Sequence, residues 1–299
     1  MYDPQASSRH PVGPVRPHWG AEALWQALVP LLPGLSIEVV QTLDSTNSEL
    51  TDRLRNAGRV QQDRRGGRVG DLAPQLLVAI NQTAGRGRLG RRWHATPGSS
   101  LTFSLALPLH RDDWSGLSLA VGLAVAEALD PQGGRIGLKW PNDLILCDAP
   151  GAGTADVSPR AGRKLGGILI ESVPVGAQRA AVIGIGLNVL PQPVAEADYG
   201  AATLSEIWPD ATPQDTLARI GEPLARTLVD FDREGFAPLR ERYARRDVLR
   251  GRPVRTTDAE MPEGVAAGVD VDGALMVSAG ERTRRVVSGE VSVRLAGAA

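Results

Sequence analysis

Apolar positions recur at helical spacing in two stretches of the chain. Ala21, Leu24, Trp25 and Leu28 predict a short amphipathic helix, and Leu217, Ile220, Leu224, Leu228 and Phe231 predict a longer one over 212–231, followed by an arm at 239–244. A third helical stretch, from Leu117 through Leu119, Ala120, Leu123 and Ala124 to Ala128, is apolar on nearly every side, so it lies against a sheet and is half buried on both flanks. Strand-like runs alternate with these: Ile37–Val40, Leu76–Ile80, Leu101-Phe103-Leu105-Leu107, Ile136–Trp140, Asp143–Leu146, Lys164–Glu171 and Ala181–Asn188. The connections in this middle section are too short for crossover helices, which predicts a mixed, mainly antiparallel sheet with helices on one face, an α+β fold.

Near residue 250 the texture changes. Short apolar alternations at 254–257, 265–271, 275–278, 285–288 and 291–295 are separated by Gly, Pro and Asp, and Asp272-Gly273 is a hairpin signal. The expected division is a flexible tail at 1–20, a large domain at 21–247 and a small β-barrel at 248–299. Two polar stretches, 56–73 and 148–162, read as exposed inserts, the second as an excursion from a hairpin tip.

Composition narrows the functional classes. A length of 299 residues with 42% hydrophobic and 22% charged residues suits a folded chain with a substantial core. Lys+Arg 33 against Asp+Glu 34 gives a net charge of −1, so no global field draws in nucleic acid, and anion recognition must be local. The single cysteine, Cys147, cannot form an internal disulfide, which points to a reducing, cytoplasmic setting. His10, His18, His94 and His110 have no metal-ligand spacing. There is no apolar run of the roughly 18 residues a membrane helix needs, and the first 18 residues lack the apolar centre of a signal peptide.

The local cation source is the run Gln82-Thr83-Ala84-Gly85-Arg86-Gly87-Arg88-Leu89-Gly90-Arg91-Arg92-Trp93, with arginines set between glycines and no acid. Such a run suits a loop that closes over a polyanion, because glycine permits close backbone approach and guanidinium groups offer fixed forks of donors. Gly85, Gly87 and Gly90 also satisfy the dinucleotide pattern G-x-G-x-x-G, but that pattern must open a helix, and Trp93–Ser100 is too rich in breakers. A P-loop is excluded by the missing Gly-Lys-Ser/Thr ending; a merely solvated basic loop remains the plain alternative. Ser45 or Thr46 could equally serve as a helix N-cap, and Lys139-Trp140-Pro141-Asn142-Asp143, taken alone, reads as a turn with Trp140 in the core. Together with Lys164, these clusters supply cations for phosphates, one carboxylate and neutral hydrogen-bonding groups, the inventory of an adenylating site.

Six segments in order resemble the biotin-protein ligases: Asp44-Ser45-Thr46-Asn47; the arginine run; Lys139–Leu144; Lys164-Leu165-Gly166-Gly167-Ile168-Leu169; Gly184-Ile185-Gly186-Leu187-Asn188-Val189; and Ser288-Gly289-Glu290-Val291-Ser292. The resemblance implies a class II synthetase-like catalytic fold with an SH3-like C-terminal barrel. It also implies a two-step reaction, in which biotin and ATP with Mg²⁺ give biotinyl-5′-adenylate and the biotinyl group then passes to a lysine of a biotin carboxyl carrier domain of an acyl-CoA carboxylase.

Carried over residue by residue, the resemblance places biotin contacts on Ser45, Thr46, Asn47 and Gln82, and the ligand loop on Gly85, Arg86, Gly87, Arg88, Arg91 and Trp93. Lys164 contacts the ligand, with Gly166 beside it; Lys139, Asn142 and Asn188 are adenylate-side residues, and Asp143 is the metal-side carboxylate. Arg88 and Lys164 are the expected catalytic pair. About 40 residues precede Asp44, which reads as too few for the DNA-binding domain that some family members carry, so no operator binding is expected, nor a membrane, and the molecule is expected to be a monomer or weak homodimer. Ser288 stands where the family pattern has glycine. The rival readings are a lipoate-protein ligase, and a nucleic-acid-binding regulator using Arg86–Arg92 on phosphates.

Overall fold

The structure is a computed structural model, described here for residues 19–63, 72–148, 162–192, 200–287 and 293–295, with side chains of 59–63 left aside. The tail at 1–18, most of the second insert, and Ser288–Ser292 lie outside the described residues. Seven strands form one sheet in the order β1-β2-β3-β7-β6-β5-β4: β1 (Ser36–Leu43), β2 (Gln75–Gln82), β3 (Ser100–Pro108), β4 (Ile136–Lys139), β5 (Asp143–Cys147), β6 (Gly162–Val175) and β7 (Gln178–Asn188). Only β1 and β2 are parallel; the other pairings are antiparallel, as the short connections predict.

One sheet face carries the main core. Alternate residues of the central strands, such as Phe103, Leu105, Ile183 and Ile185, are buried there beneath α1 (Ala21–Leu28), α3 (Leu117–Leu129) and α4 (Pro213–Glu234). The all-round apolar character of α3 is explained by its neighbours, since β4, β5 and β6 lie on one side of it and α4 on the other. Thr212 caps α4 by accepting from the Asp215 N–H at 3.1 Å, and Pro213 occupies the first turn, where its missing donor costs nothing.

The expectation of helices on one face describes α1, α3 and α4, whereas α2 (Thr46–Asp63) packs on the opposite face. Leu50 and Leu54, one helical turn apart, meet Leu77, Ala106, Val173, Val175 and Val182 in a second, smaller core. This helix also corrects the reading of 56–73 as an exposed insert, because it continues through Asp63. Gly58 faces the β6–β7 turn there, where a Cβ would touch Val175 Cγ1 at 3.4 Å, an ordinary contact. The remainder of that stretch, 64–71, lies outside the described residues.

A five-stranded antiparallel sheet of order β11-β10-β9-β8-β12 follows the short helix α5 (Arg240–Ala244). Its strands are β8 (Pro253–Thr256), β9 (Glu263–Val269), β10 (Leu275–Ala279), β11 (Arg282–Val286) and β12 (Val293–Leu295). The two sheets are tied through α5 and the Trp140 turn. Trp140 Nε1 donates to the Gly273 carbonyl at 3.0 Å, and Arg240 Nε donates to the Val269 carbonyl at 2.9 Å. The buried Arg246 guanidinium pairs with Asp130 at 3.2 Å and donates to the Ile136 carbonyl at 3.0 Å. No described helix is long and apolar enough to cross a membrane.

Beside that junction Asp247 is buried; its Oδ1 accepts from the Leu249 N–H at 2.9 Å, while Oδ2 has no partner. Burial pushes its carboxyl up to about 6, opposed by main-chain donors at Leu249 and Arg250. The native state then holds a proton that the unfolded chain has lost, so between about pH 4 and 6 stability falls as pH rises, by up to ~3 kcal/mol. Asp247→Asn removes that titration. Denaturant unfolding should show the variant gaining on the parent as pH rises across this window; stability curves that stay parallel would contradict the assignment.

Candidate functional site

The parallel pairing of β1 and β2 extends to Leu43 opposite Gln82, so the chain leaves both strands at the same end of the sheet. The Thr83 and Ala84 N–H groups continue the ladder, donating to the Leu43 and Asp44 carbonyls at 3.0 Å each. Asp44-Ser45-Thr46-Asn47 and the arginine run therefore start side by side. They open a cavity of about 520 Å³ on the α2 face, closed from the far side by the Trp140 turn, Lys164 and β7, and from the small sheet by Val293 and Arg294.

Fourteen of the sixteen residues named from the sequence line this cavity: Ser45, Thr46, Asn47, Gln82, Arg86, Gly87, Arg88, Arg91, Trp93, Lys139, Asn142, Asp143, Lys164 and Asn188. Gly85 and Gly166 do not; both serve packing. A Cβ on Gly85 would come within 2.4 Å of the Trp93 carbonyl where the loop closes on itself, and one on Gly166 within 2.5 Å of Leu187. The arginine loop is irregular with one short 3₁₀ turn at Arg88–Gly90, not the helix that a dinucleotide fingerprint requires.

Ser45 answers both of its readings. It caps α2, with Oγ accepting from the Ser48 N–H at 3.4 Å, and it also faces the cavity. Next to it Gln82 Oε1 accepts from the Thr46 N–H at 2.7 Å and lies 3.2 Å from Thr46 Oγ1. Asn47 sits on Gly184, where a Cβ would lie 2.2 Å from its Oδ1. The Trp93 indole lies over Gly186 in the same way, and its Nε1 is buried without a hydrogen-bond partner. The Gly184-Ile185-Gly186 pattern in β7 is thus a floor stripped of side chains.

Charge in the cavity is one-sided. Among the described residues, Arg86, Arg88, Arg91, Arg92, Lys139, Lys164 and Arg294 line it, against a single acid, Asp143. Asp143 lies 2.7 Å from Lys164 Nζ, and Arg88 Nη1 donates to Asn142 Oδ1 at 3.4 Å. Burial pulls the Lys139 ammonium below the usual lysine range; Asp143 opposes the shift, and Lys164, Arg91 and Arg294 add to it. Desolvation likewise lowers Arg88, with Asp143 opposing and Arg91 adding. Crowded, partly desolvated cations of this kind are what a polyanionic ligand relieves.

Asp143 was the metal-side expectation. Its carboxylate is already engaged by Lys164 and sits among cations, and among the described residues no three His, Cys, Asp or Glu side chains gather as a metal site. Asp143 is the one carboxylate that the described residues bring to the cavity, so they do not by themselves form a cage of protein ligands for Mg²⁺.

Sequence reasoning missed two contributors. Ser104, fully buried in β3, has its Oγ 2.6 Å from both Thr46 Oγ1 and Asn47 Oδ1. Glu171 in β6 accepts from Asn47 Nδ2 at 2.9 Å and pairs with Arg86 at 3.1 Å. A serine amid the apolar alternation of β3 was the available signal for the first; for the second it was an acid ending an otherwise apolar run.

The biotin/lipoate A/B protein ligase family model matches residues 71–188, and the biotin protein ligase C terminal domain model matches 251–294. The bifunctional ligase/repressor BirA of Escherichia coli is 33% identical over 274 residues, covering 89% of this chain and 76% of that protein. The biotin–[acetyl-CoA-carboxylase] ligase of Mycobacterium tuberculosis is 31% identical over 268 residues, 85% of this chain and 88% of the other. Among solved structures, the biotin protein ligase from Aquifex aeolicus in complex with biotin and ATP superposes with a TM-score of 0.68 at 26% identity, covering 87% of this chain and 99% of that one. With a relative at 33% identity covering most of both chains and both family models matched, the cavity with its bare floor and wall of cations is that of a member of the biotin protein ligase family, to which this chain belongs.

Proposed function

We infer that this chain is a biotin–[acetyl-CoA-carboxylase] ligase, activating biotin with ATP and passing it to a lysine of a biotin carboxyl carrier domain. The observation that carries the reading is a single cavity with two chemistries. Neutral hydroxyl and amide groups of Ser45, Thr46, Asn47 and Gln82 crowd one part, and cations line the rest. A neutral cyclic urea suits the first, and a carboxylate meeting a triphosphate suits the second.

In the first step a biotin carboxylate oxygen attacks the α-phosphorus of ATP, the bond to the β-phosphate oxygen breaks, and pyrophosphate leaves. Lys164 is placed to hold the carboxylate against the phosphate as two like charges approach; Arg88 and Arg91 receive charge on phosphate oxygens, and Lys139 and Asn142 face the nucleotide. Asp143 holds Lys164 in place before substrate arrives. In the second step the carrier lysine amine attacks the acyl carbon, the amide forms, and AMP leaves. Between the steps the mixed anhydride must be kept from water, and the arginine loop with Trp93 is the cover the sequence supplies.

The match to the biotin ligase C terminal domain supports biotin over lipoate, as do the relatives named as biotin ligases. The arginines supply a cavity wall, which argues against a nucleic-acid surface. Pyrophosphate release with ATP, Mg²⁺ and either biotin or lipoate, followed by transfer of label to a carrier domain, decides among these. Turnover with lipoate alone, or none with either acid, would overturn the reading.

Two substitutions extend the test. Lys164→Met removes a charge-assisted bond worth ~1.5 to 3 kcal/mol, so adenylate formation should slow by roughly tenfold to a hundredfold. Arg88→Gly loosens the cover, so adenylate should still form while bystander proteins become biotinylated; a variant that makes adenylate without such leakage would remove the lid role from the loop.

A further inference from the structure

Four oxygens run in a row along the neutral part of the cavity: Gln82 Oε1, Thr46 Oγ1, Ser104 Oγ and Asn47 Oδ1, with contacts of 3.2, 2.6 and 2.6 Å. Both ends of the row are amide carbonyls, and each amide is fixed by a neighbour. Gln82 is fixed because its Oε1 accepts from the Thr46 main-chain N–H at 2.7 Å. Asn47 is fixed because its Nδ2 faces two acceptors, Glu171 Oε2 at 2.9 Å and the Leu169 carbonyl at 3.3 Å. The carboxylate is the shorter and charge-assisted of the two, and a carboxylate cannot donate.

Protons along this row can be counted. Thr46 and Ser104 bring one hydroxyl proton each, and both terminal oxygens bring none, so two protons serve three contacts. The row is one donor short. Ser104 is fully buried, in register opposite Gly184 of β7, which itself pairs with Leu169 of β6, so it has no route to solvent. Thr46 faces the cavity and is where a donor from outside can join.

We propose that Glu171 is a positioning residue that sets the polarity of this row by orienting Asn47, leaving Thr46 Oγ1 open to a ligand N–H and so selecting for a cyclic urea. Glu171 is placed for this by the sheet, two residues beyond Leu169 on the α2 face, and a second partner, Arg86, holds its carboxylate at 3.1 Å. Turning the Asn47 amide over would bring Nδ2 to Ser104 and supply the missing donor from inside. Ser104 would then donate to Thr46 and fill one of the two acceptor positions of its Oγ1, so a ligand N–H would have to compete for the other. This inference rests on biotin being the substrate.

The test is biotin affinity of the full chain by titration calorimetry without ATP, with initial rates measured alongside. Glu171→Met removes the acceptor and should weaken biotin about tenfold or more, raising KM for biotin while kcat at saturating biotin changes less than threefold. Glu171→Gln keeps one acceptor oxygen for Asn47 or Arg86 but not both, so its affinity should fall between Met and the parent. Ser104→Ala breaks the row without touching Glu171. It should weaken biotin comparably, and combined with Glu171→Met it should cost no more than about twofold beyond the worse single variant.

If Glu171→Met does not fold, Glu171→Gln decides, since a folded Gln variant with parental affinity would equally overturn the role of Glu171. Folded variants with parental affinity, or losses that multiply in the double variant, overturn the proposal. A parent chain that binds no biotin would instead overturn the functional reading itself.

Discussion

The site depends on one pairing, the parallel contact of β1 with β2 that ends at Leu43 opposite Gln82. In a sheet otherwise built from antiparallel neighbours, this pair alone sends two successive chain exits to the same edge. One exit becomes the first turn of α2, the other the arginine loop, and Thr83 Oγ1 donating to Asp44 Oδ1 at 2.7 Å holds them together. Antiparallel pairing there would have put the neutral and cationic groups at opposite ends of the sheet.

The rest of the sheet adapts to those two exits. Where α2 and Trp93 come down onto β7, the strand has glycine at 184 and 186, and any side chain would displace Asn47 or the indole. Where the cations crowd, a single acid tempers them. Asp143 offsets part of the burial effect on Lys139 and Arg88 and contacts Lys164 directly, leaving a positive cavity in a chain whose total charge is −1. The balance is local, as the composition required.

Much of this was legible in the sequence because it is written in short, punctuated motifs. Glycine-spaced arginines, the Lys139–Asp143 turn and the Asp44–Asn47 turn stand out from the apolar runs around them, and their residues converge. What escaped was written in the sheet's third dimension. Ser104 and Glu171 are single polar residues inside strands, and only the register of β3, β7 and β6 brings them beside Asn47. The continuation of α2 past residue 56 was hidden for a related reason. Its solvent face is polar and it contains Gly58, so composition looked like an insert, while the two leucines that anchor it are only one turn apart. Gly85 and Gly166 show the opposite error, in which motif membership suggested ligand contact and the backbone needed the space.

Trp140 has a further consequence. Its ring is buried in the main core, its turn carries Asn142 and Asp143 to the cavity wall, and its indole N–H ends on Gly273 of the small C-terminal sheet. The same side chain is therefore a lever with one arm in each unit. A displacement of the small sheet would therefore reach the cavity wall at Asn142 and Asp143 through this ring as well as through Val293 and Arg294.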